Sequence, residues 1–299
     1  MDFKGLTSNK NHKFIVNILT NTKNTYKHWA EEKLDSFTSK IDDLMVEITN
    51  PLNLTKSEKS RIKTLIRNYN MAFYNISGKS RDIRKSLLFL SQEIGLGNYE
   101  LDSKSDENGL TPIKVSSKKK IEDEYIPYTN KSLNWHTDGY YNDNNKPIFS
   151  WLLHCENPSD EGGENKYMDH EIAYILFNQK YKNLRTLMKD TTYTIPKNKK
   201  NKRPNVTGYV FSFDNKYNKL HMKFTMRANN IFWDSESLSA INNLKSLINN
   251  SVDYHLIHKL AEGQGVITNN VIHMRSSFTI SKNKNRLLYR LRSKKRICG

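Results

Sequence analysis

His136 and Asp138, in the stretch NWHTDGYYN, stand two residues apart. On a strand, residues at that spacing project from one face, so an imidazole and a carboxylate could give one divalent metal two ligands. Polar pairs near strand ends commonly only hydrogen-bond, so the pair alone also reads as a polar corner between strands. A third ligand changes its weight. Of the nine histidines, His12 and His28 fall in a helix-like region and read as surface residues. His255 and His258 bracket an apolar segment, and His154, His170 and His221 read as groups that could support a site. His273 stands apart in NNVIHMR, where a strand through Val266 and Ile267 meets a turn and resumes at Val271 and Ile272. Two imidazoles and one carboxylate occupy one face of an octahedral metal and leave three positions open. That suits Fe(II) with a bidentate acid cosubstrate and dioxygen.

Such an acid needs its far carboxylate held by a fixed cation, and the planar, permanently charged fork of arginine does this best. In the run RLLYRLR, period-two alternation puts Arg286, Leu288, Arg290 and Arg292 on one face. Burying several arginines together is costly, so one is expected to point into a polar cavity; the alternative is a solvated edge. Tyr140, Tyr141 and Asn142 follow the His-x-Asp pair and could line the cavity mouth or pack its rim. His221, Lys223 and Arg227 in KLHMKFTMR take alternate or near-alternate strand positions. They could meet an anionic substrate group or form one polar face of an edge strand.

The elements that must position these residues come in two textures. Trp29, Leu34, Phe37, Ile41, Leu44 and Met45 repeat at helical spacing across 24–49. A second helix is expected from Ser57, with Ile62, Leu65, Ile66, Tyr69 and Phe73 on one stripe, and a third from Asp82 to about Gly95. Beyond Gly97, short β-favouring segments alternate with turn clusters, among them KSLNWHTD, PIFSWLLHC, GGENKYM, GQGVITNN and RLLYRLR. Asp169 and Ser235 are expected to cap two inserted helices. The reading is one α+β domain over 1–299 with a mainly β core: a mostly helical N-terminal layer to residue 97 and a β-rich body over 98–299.

Composition narrows the partners. An aromatic share of 11% argues against a disordered chain. The formal charge of +17 invites an anionic partner, nucleic acid or a membrane surface. Yet the basic clusters at 197–203 and 292–296 carry no interleaved aromatics and no nucleic-acid module. A Lys- and Asn-rich composition is the preferred explanation. Two cysteines, Cys155 and Cys298, exclude a disulfide framework. The first residues lack the apolar core of a signal peptide, and no run approaches the roughly 18–20 apolar residues of a membrane span. The expectation is a cytoplasmic protein with no membrane partner; a homo-oligomer is left open.

WHTDG, GGEN at 162–165, NNVIHMR at 269–275 and RLLYR at 286–290 occur in that order. Together, over residues 125–297, they resemble the taurine dioxygenase and clavaminate synthase-like superfamily of Fe(II)/2-oxoglutarate-dependent oxygenases. The resemblance implies a double-stranded β-helix, or jelly roll, with the metal in its mouth. It implies that His136, Asp138 and His273 ligate iron, and that Arg286 pairs with the distal carboxylate of 2-oxoglutarate, with Arg290 as the other candidate. Asn165 stands where relatives often carry a cosubstrate-binding threonine, and its amide can still donate. The implied chemistry couples decarboxylation of 2-oxoglutarate to dioxygen-dependent hydroxylation, or a related C–H oxidation, of a small polar or anionic substrate. Two alternatives remain: the same chemistry on tRNA or protein recruited by basic loops, and a non-catalytic jelly-roll binding protein.

Overall fold

Helices in this chain stop where backbone chemistry ends them, sooner than their apolar spacing suggests. The computed structural model describes residues 22–78, 82–102, 104–115, 126–198, 203–214, 216–227, 231–281 and 284–298. The N-terminal stretch with His12, and the centre of the basic 197–203 run, lie outside the described residues. The first helix covers Thr22–Asp35 rather than continuing to residue 49. At Thr38 the side chain takes over backbone duties, accepting from Lys40 N at 3.1 Å and donating to Asp43 at 2.7 Å. A short 3-10 turn and strand β1 (Met45–Ile48) follow.

The second helix, Lys56–Tyr69, is set by a capping box in which Thr55 accepts from Glu58 N and Glu58 accepts from Thr55 N. It ends on Asn70 at φ 56°, the left-handed conformation that asparagine tolerates. So Phe73, expected on the helical stripe, lies instead in β2 (Met71–Ile76). A short apolar run carries no period that separates buried strand from buried helix. Asp82 caps the third helix, Ile83–Glu93, as expected.

The remaining strands, in chain order, are β3 (Thr111–Ile113), β4 (Leu133–His136), β5 (Ser150–Asn157), β6 (Glu161–Gly162), β7 (Asn165–Met168), β8 (Tyr193–Ile195), β9 (Val206–Gly208), β10 (Phe211–Asp214), β11 (Lys219–Met222), β12 (Phe232–Trp233), β13 (Leu256–His258), β14 (Gln264–Thr268), β15 (Ile272–Arg275), β16 (Phe278–Thr279) and β17 (Leu287–Ser293). The architecture is mixed α and β with a mostly β core. The chain divides into two compact units, one of 38–169, 224–229 and 253–299, the other of 1–37, 170–223 and 230–252.

The first of these holds a six-stranded sheet, ordered β1-β2-β14-β5-β17-β3, and a four-stranded sheet, ordered β13-β7-β15-β4. All neighbours are antiparallel except β1 and β2. In the six-stranded sheet, register aligns Phe73, Val266, Leu153, Arg290 and Thr111 in one row. The four-stranded sheet aligns Leu256, Tyr167, His273 and His136. These faces oppose one another: Phe73 meets Tyr167 edge-on at 5.5 Å, and Trp151 meets His273 at 4.7 Å. Phe73, Trp151 and Tyr167 are among the side chains buried between them.

The other unit packs the helix His170–Lys180 with the helix Leu238–Asn250 and the small sheets β10-β11 and β12-β8-β9. Asp234, not Ser235, caps the turn leading into the second of these helices, accepting from Glu236 N. A buried Lys33–Glu171 ion pair of 2.8 Å lies in this unit. Among the described residues, no helix is long and apolar enough to cross a membrane.

Candidate metal and cosubstrate site

His136 ends β4 and Asp138 lies just past it, while His273 faces His136 across the β4–β15 pairing. The imidazole rings stand 4.2 Å apart between centroids. Each histidine places Nδ1 against a backbone carbonyl two residues earlier: His136 on Asn134 at 2.8 Å, His273 on Val271 at 3.0 Å. A carbonyl can only accept, so Nδ1 carries the proton and Nε2 presents its lone pair. Those Nε2 atoms lie 3.7 and 4.0 Å from Asp138 Oδ1.

Burial, reinforced by the neighbouring His273, lowers the His136 pKa to about 3; burial likewise lowers that of His273. Burial alone would raise the Asp138 pKa, but Arg290, Arg292 and the two histidines together hold it below the usual carboxylate range. Two neutral imidazoles and a carboxylate thus offer ligand atoms within 4.8 Å of one another. Three converging acceptors with no proton between them fit a divalent cation.

Asn270 fixes the carboxylate's backbone. Held at φ 57° between β14 and β15, it accepts from Asp138 N at 2.8 Å and from Trp151 Nε1 at 3.1 Å. Its amide donates to Asp138 O at 2.9 Å and Ile148 O at 2.7 Å. All four side-chain hydrogen-bonding positions are used. Trp151, held by this bracket, packs its ring behind His273. Asn270 belongs to the NNVIHMR stretch that carries the family resemblance, where no role attached to it; its place in a turn three residues before a ligand-type histidine was the available signal.

The arginines diverge. Arg292 is buried, ion-paired with Glu100 and Asp102 at 2.7 Å and donating to Tyr141 Oη at 2.9 Å. Arg290 lies 3.2 Å from Asp138 Oδ2 as an ion pair, though its angle makes no hydrogen bond, and its Nε has no acceptor. Arg286, 5% exposed, makes no hydrogen bond or ion pair among the described residues. Its guanidinium lies over the Phe278 ring at 4.5 Å, and burial lowers its pKa to about 10. With Asn165, Cys155, Gly163, Lys259 and Leu288 it lines a small cavity.

GGEN builds one wall of that cavity. Gly162 sits at φ 65°, and a Cβ there would collide with the Ser277 carbonyl oxygen. Gly163 N donates to Ser276 Oγ at 2.9 Å, and Ser276 N to Glu164 O at 2.9 Å. The turn is thereby clasped to the segment carrying Phe278, and it leads Asn165 into β7, where that residue is 6% exposed.

Of the other sequence candidates, Tyr140 and Tyr141 stack edge-on at 5.2 Å. The Asn142 amide donates to Glu100 at 2.6 Å and to Lys146 O at 3.2 Å. His221 and Arg227 do not share one strand face: β11 ends at Met222, and His221 and Arg227 belong to different units. From Phe224 the chain hydrogen-bonds to Thr137 and Trp135 beside β4, which takes it off the β11 alternation. His154 faces away from the site, stacked on Tyr74.

A mostly β core thus carries three converging acceptors that fit a divalent cation, and the same unit buries Arg286 without a counter-ion among the described residues. Residues 38–292 match the family model described as taurine catabolism dioxygenase TauD, TfdA family, and the chain belongs to that family. It is an Fe(II)- and 2-oxoglutarate-dependent dioxygenase. No curated protein matches the chain. Among solved structures, a taurine dioxygenase from Burkholderia xenovorans is similar at 15% identity and TM-score 0.58, over 84% of this chain and 87% of that one. An asparagine oxygenase solved with Fe(II), 3-hydroxyasparagine and succinate is similar at 10% identity and TM-score 0.57, over 81% and 85%. PvcB, an Fe, alpha-ketoglutarate dependent oxygenase from an isonitrile synthetic pathway, is similar at 14% identity and TM-score 0.55, over 83% and 85%. These are likenesses of fold.

Proposed function

We propose that His136, Asp138 and His273 hold Fe(II), that Arg286 anchors the distal carboxylate of 2-oxoglutarate with Asn165 beside it, and that the β-rich unit is a double-stranded β-helix with this site between its sheets. The substrate on this reading is a small polar or anionic molecule. The observation that carries the reading is the convergence of three metal-type acceptors in the unit that also buries an arginine without a counter-ion. An unpaired buried cation is costly, and a carboxylate ligand offsets that cost. Arg290 is already ion-paired with Asp138, which favours Arg286 as the cosubstrate anchor.

When bound, the metal and cosubstrate supply dioxygen-dependent oxidation coupled to decarboxylation of the 2-oxo acid. The chain's residues bind and orient. Nδ1 hydrogen bonds aim both imidazoles, Asn270 holds the Asp138 backbone, and Phe278 seats the Arg286 guanidinium. Trp151 and Phe73 keep the space between the sheets apolar and exclude water. The taurine and asparagine oxygenases among the similar folds act on small polar molecules by their names, which supports that substrate class.

The test is succinate release from 2-oxoglutarate by protein loaded with Fe(II) under anaerobic conditions, then exposed to air with a panel of amino and sulfonic acids. Stimulation by a panel member is the expected outcome. Failure to bind Fe(II) stoichiometrically would instead favour a non-catalytic binding protein. Turnover only on RNA or protein, lost on raising salt, would favour a macromolecular substrate.

A further inference from the structure

Tyr167 carries a buried hydroxyl that the reactions described above do not use. Its side chain is fully buried, and Oη has no hydrogen-bond partner. Register fixes where it points. Tyr167 is the direct cross-strand partner of His273 on β15 and lies two residues beyond Asn165 on β7. Directly opposed residues share a face, and so do residues two apart. Phe73 closes on its ring edge from the opposite sheet at 5.5 Å.

Asn165, on the same face of β7 as Tyr167, lines the small cavity together with Arg286, and the Arg286 charge bears on the Tyr167 hydroxyl. Burial keeps the phenol protonated across the neutral range, so it can donate. Two neighbouring buried groups, one cationic and one a neutral donor, therefore both lack an acceptor. Buried polar groups in folded proteins are nearly always satisfied, so a pair left open in one place marks where a ligand acceptor belongs.

We propose that Tyr167 Oη donates a hydrogen bond to the distal carboxylate of the 2-oxo diacid whose charge Arg286 neutralises. This rests on the cosubstrate reading given above. A carboxylate has two oxygens and several lone-pair directions, enough for the arginine fork and a phenol together. Tyr167 then contributes to selecting a diacid: a 2-oxo acid of the same chain length without the second carboxylate leaves both donors unsatisfied. With the ring kept, the hydroxyl alone can be removed.

The experiment compares wild type and Tyr167→Phe by anaerobic calorimetry on Mn(II)-loaded protein, titrated with 2-oxoglutarate and with 2-oxopentanoate. The variant is expected to bind 2-oxoglutarate about tenfold more weakly, one hydrogen bond to a charged group being worth that much. It should bind 2-oxopentanoate and Mn(II) within about twofold of wild type. Metal- and cosubstrate-free variant should melt at the same temperature or higher, because an unsatisfied buried hydroxyl has been removed. Unchanged affinity for 2-oxoglutarate, or equal loss for both 2-oxo acids, overturns the inference while leaving the cosubstrate reading intact. If wild type binds the two acids equally, the cosubstrate reading itself fails and the inference with it.

Discussion

Three arginines within seven residues end in three electrostatic situations: among the described residues Arg292 has two carboxylate partners, Arg290 one and Arg286 none. Period-two alternation holds for Leu288, Arg290 and Arg292, which pair across to Cys155, Leu153 and Trp151, but does not extend to Arg286, which precedes β17 and the register shift at Leu287–Leu288. It could not rank them, because counter-ions come from distant segments: Asp138 for Arg290, Glu100 and Asp102 for Arg292. Arg286→Ala is therefore expected to weaken 2-oxoglutarate binding by about 2–5 kcal/mol, the range for losing one partner of a buried charge pair, with metal affinity unchanged. On the proposed assignment Arg290→Ala leaves Arg286 in place and should affect 2-oxoglutarate affinity far less. Calorimetry on both variants decides it, and the reverse ranking would refute the assignment. The candidate ligands His136, Asp138 and His273 could be singled out because type and spacing carry their chemistry, and their ligand atoms converge within 4.8 Å. His136→Ala and His273→Ala should each abolish stoichiometric Fe(II) binding in an anaerobic titration, and a variant that still binds one equivalent would remove that histidine from the set.

Elements hold these residues through contacts that leave little trace in local sequence. Asparagine is abundant in this chain, which hides the positions that need one, yet Asn70, Asn269 and Asn270 each fill a structural position. Asn70 donates to Asp169 at 3.0 Å and accepts from Arg296 at 2.8 Å. Asn269 clasps both backbone groups of Ile297, at 3.1 and 3.0 Å. Asn270→Ala strips buried partners from Asp138 N, Trp151 Nε1 and two carbonyls. A loss of about 3 kcal/mol or more is expected from their unmet hydrogen bonding, read as a lower urea midpoint together with weaker metal binding. Wild-type metal affinity in a folded Asn270→Ala variant would show that the bracket does not position Asp138. Gly265 plays a comparable part on the outer face of the six-stranded sheet, where its missing side chain lets the Tyr74 ring cross β14 and stack on His154 at 5.9 Å. Gly265→Ala places a Cβ inside that ring's space and should cost about 1–3 kcal/mol, the usual range for overpacking. A urea midpoint unchanged from wild type would mean the ring moves aside freely.

At the scale of the whole molecule, the change of texture after Gly97 marks where strands come to dominate, with the helices Lys56–Tyr69 and Ile83–Glu93 before it and most strands after it. What escaped the sequence was that β1 and β2, from the helical third, lie in the central sheet. Fully buried strands lose the alternation that announces them. Burial of the sheet's polar residues has a consequence for pH. His154 is 1% exposed, and burial lowers its pKa to about 4 from an ordinary 6.5. Its 3.8 Å approach to Glu156 is therefore no ion pair at neutral pH. Between about pH 4 and 6.5 the unfolded chain holds a proton on this histidine that the folded chain does not, so stability rises with pH across that window and is lost as pH falls. His136 and His273, also depressed by burial, act with the same sign in metal-free protein. Each shifted unit is worth about 1.4 kcal/mol, so His154 alone accounts for about 3 kcal/mol between pH 7.5 and 4. Urea unfolding of chelator-treated protein at pH 7.5, 6.5 and 5.5 should show midpoints falling with pH, and His154→Gln should flatten the slope by up to one proton. A midpoint independent of pH over that range, or a slope untouched by His154→Gln, would mean that water reaches this imidazole and that the Tyr74–His154 stack is not the sealed contact its geometry describes.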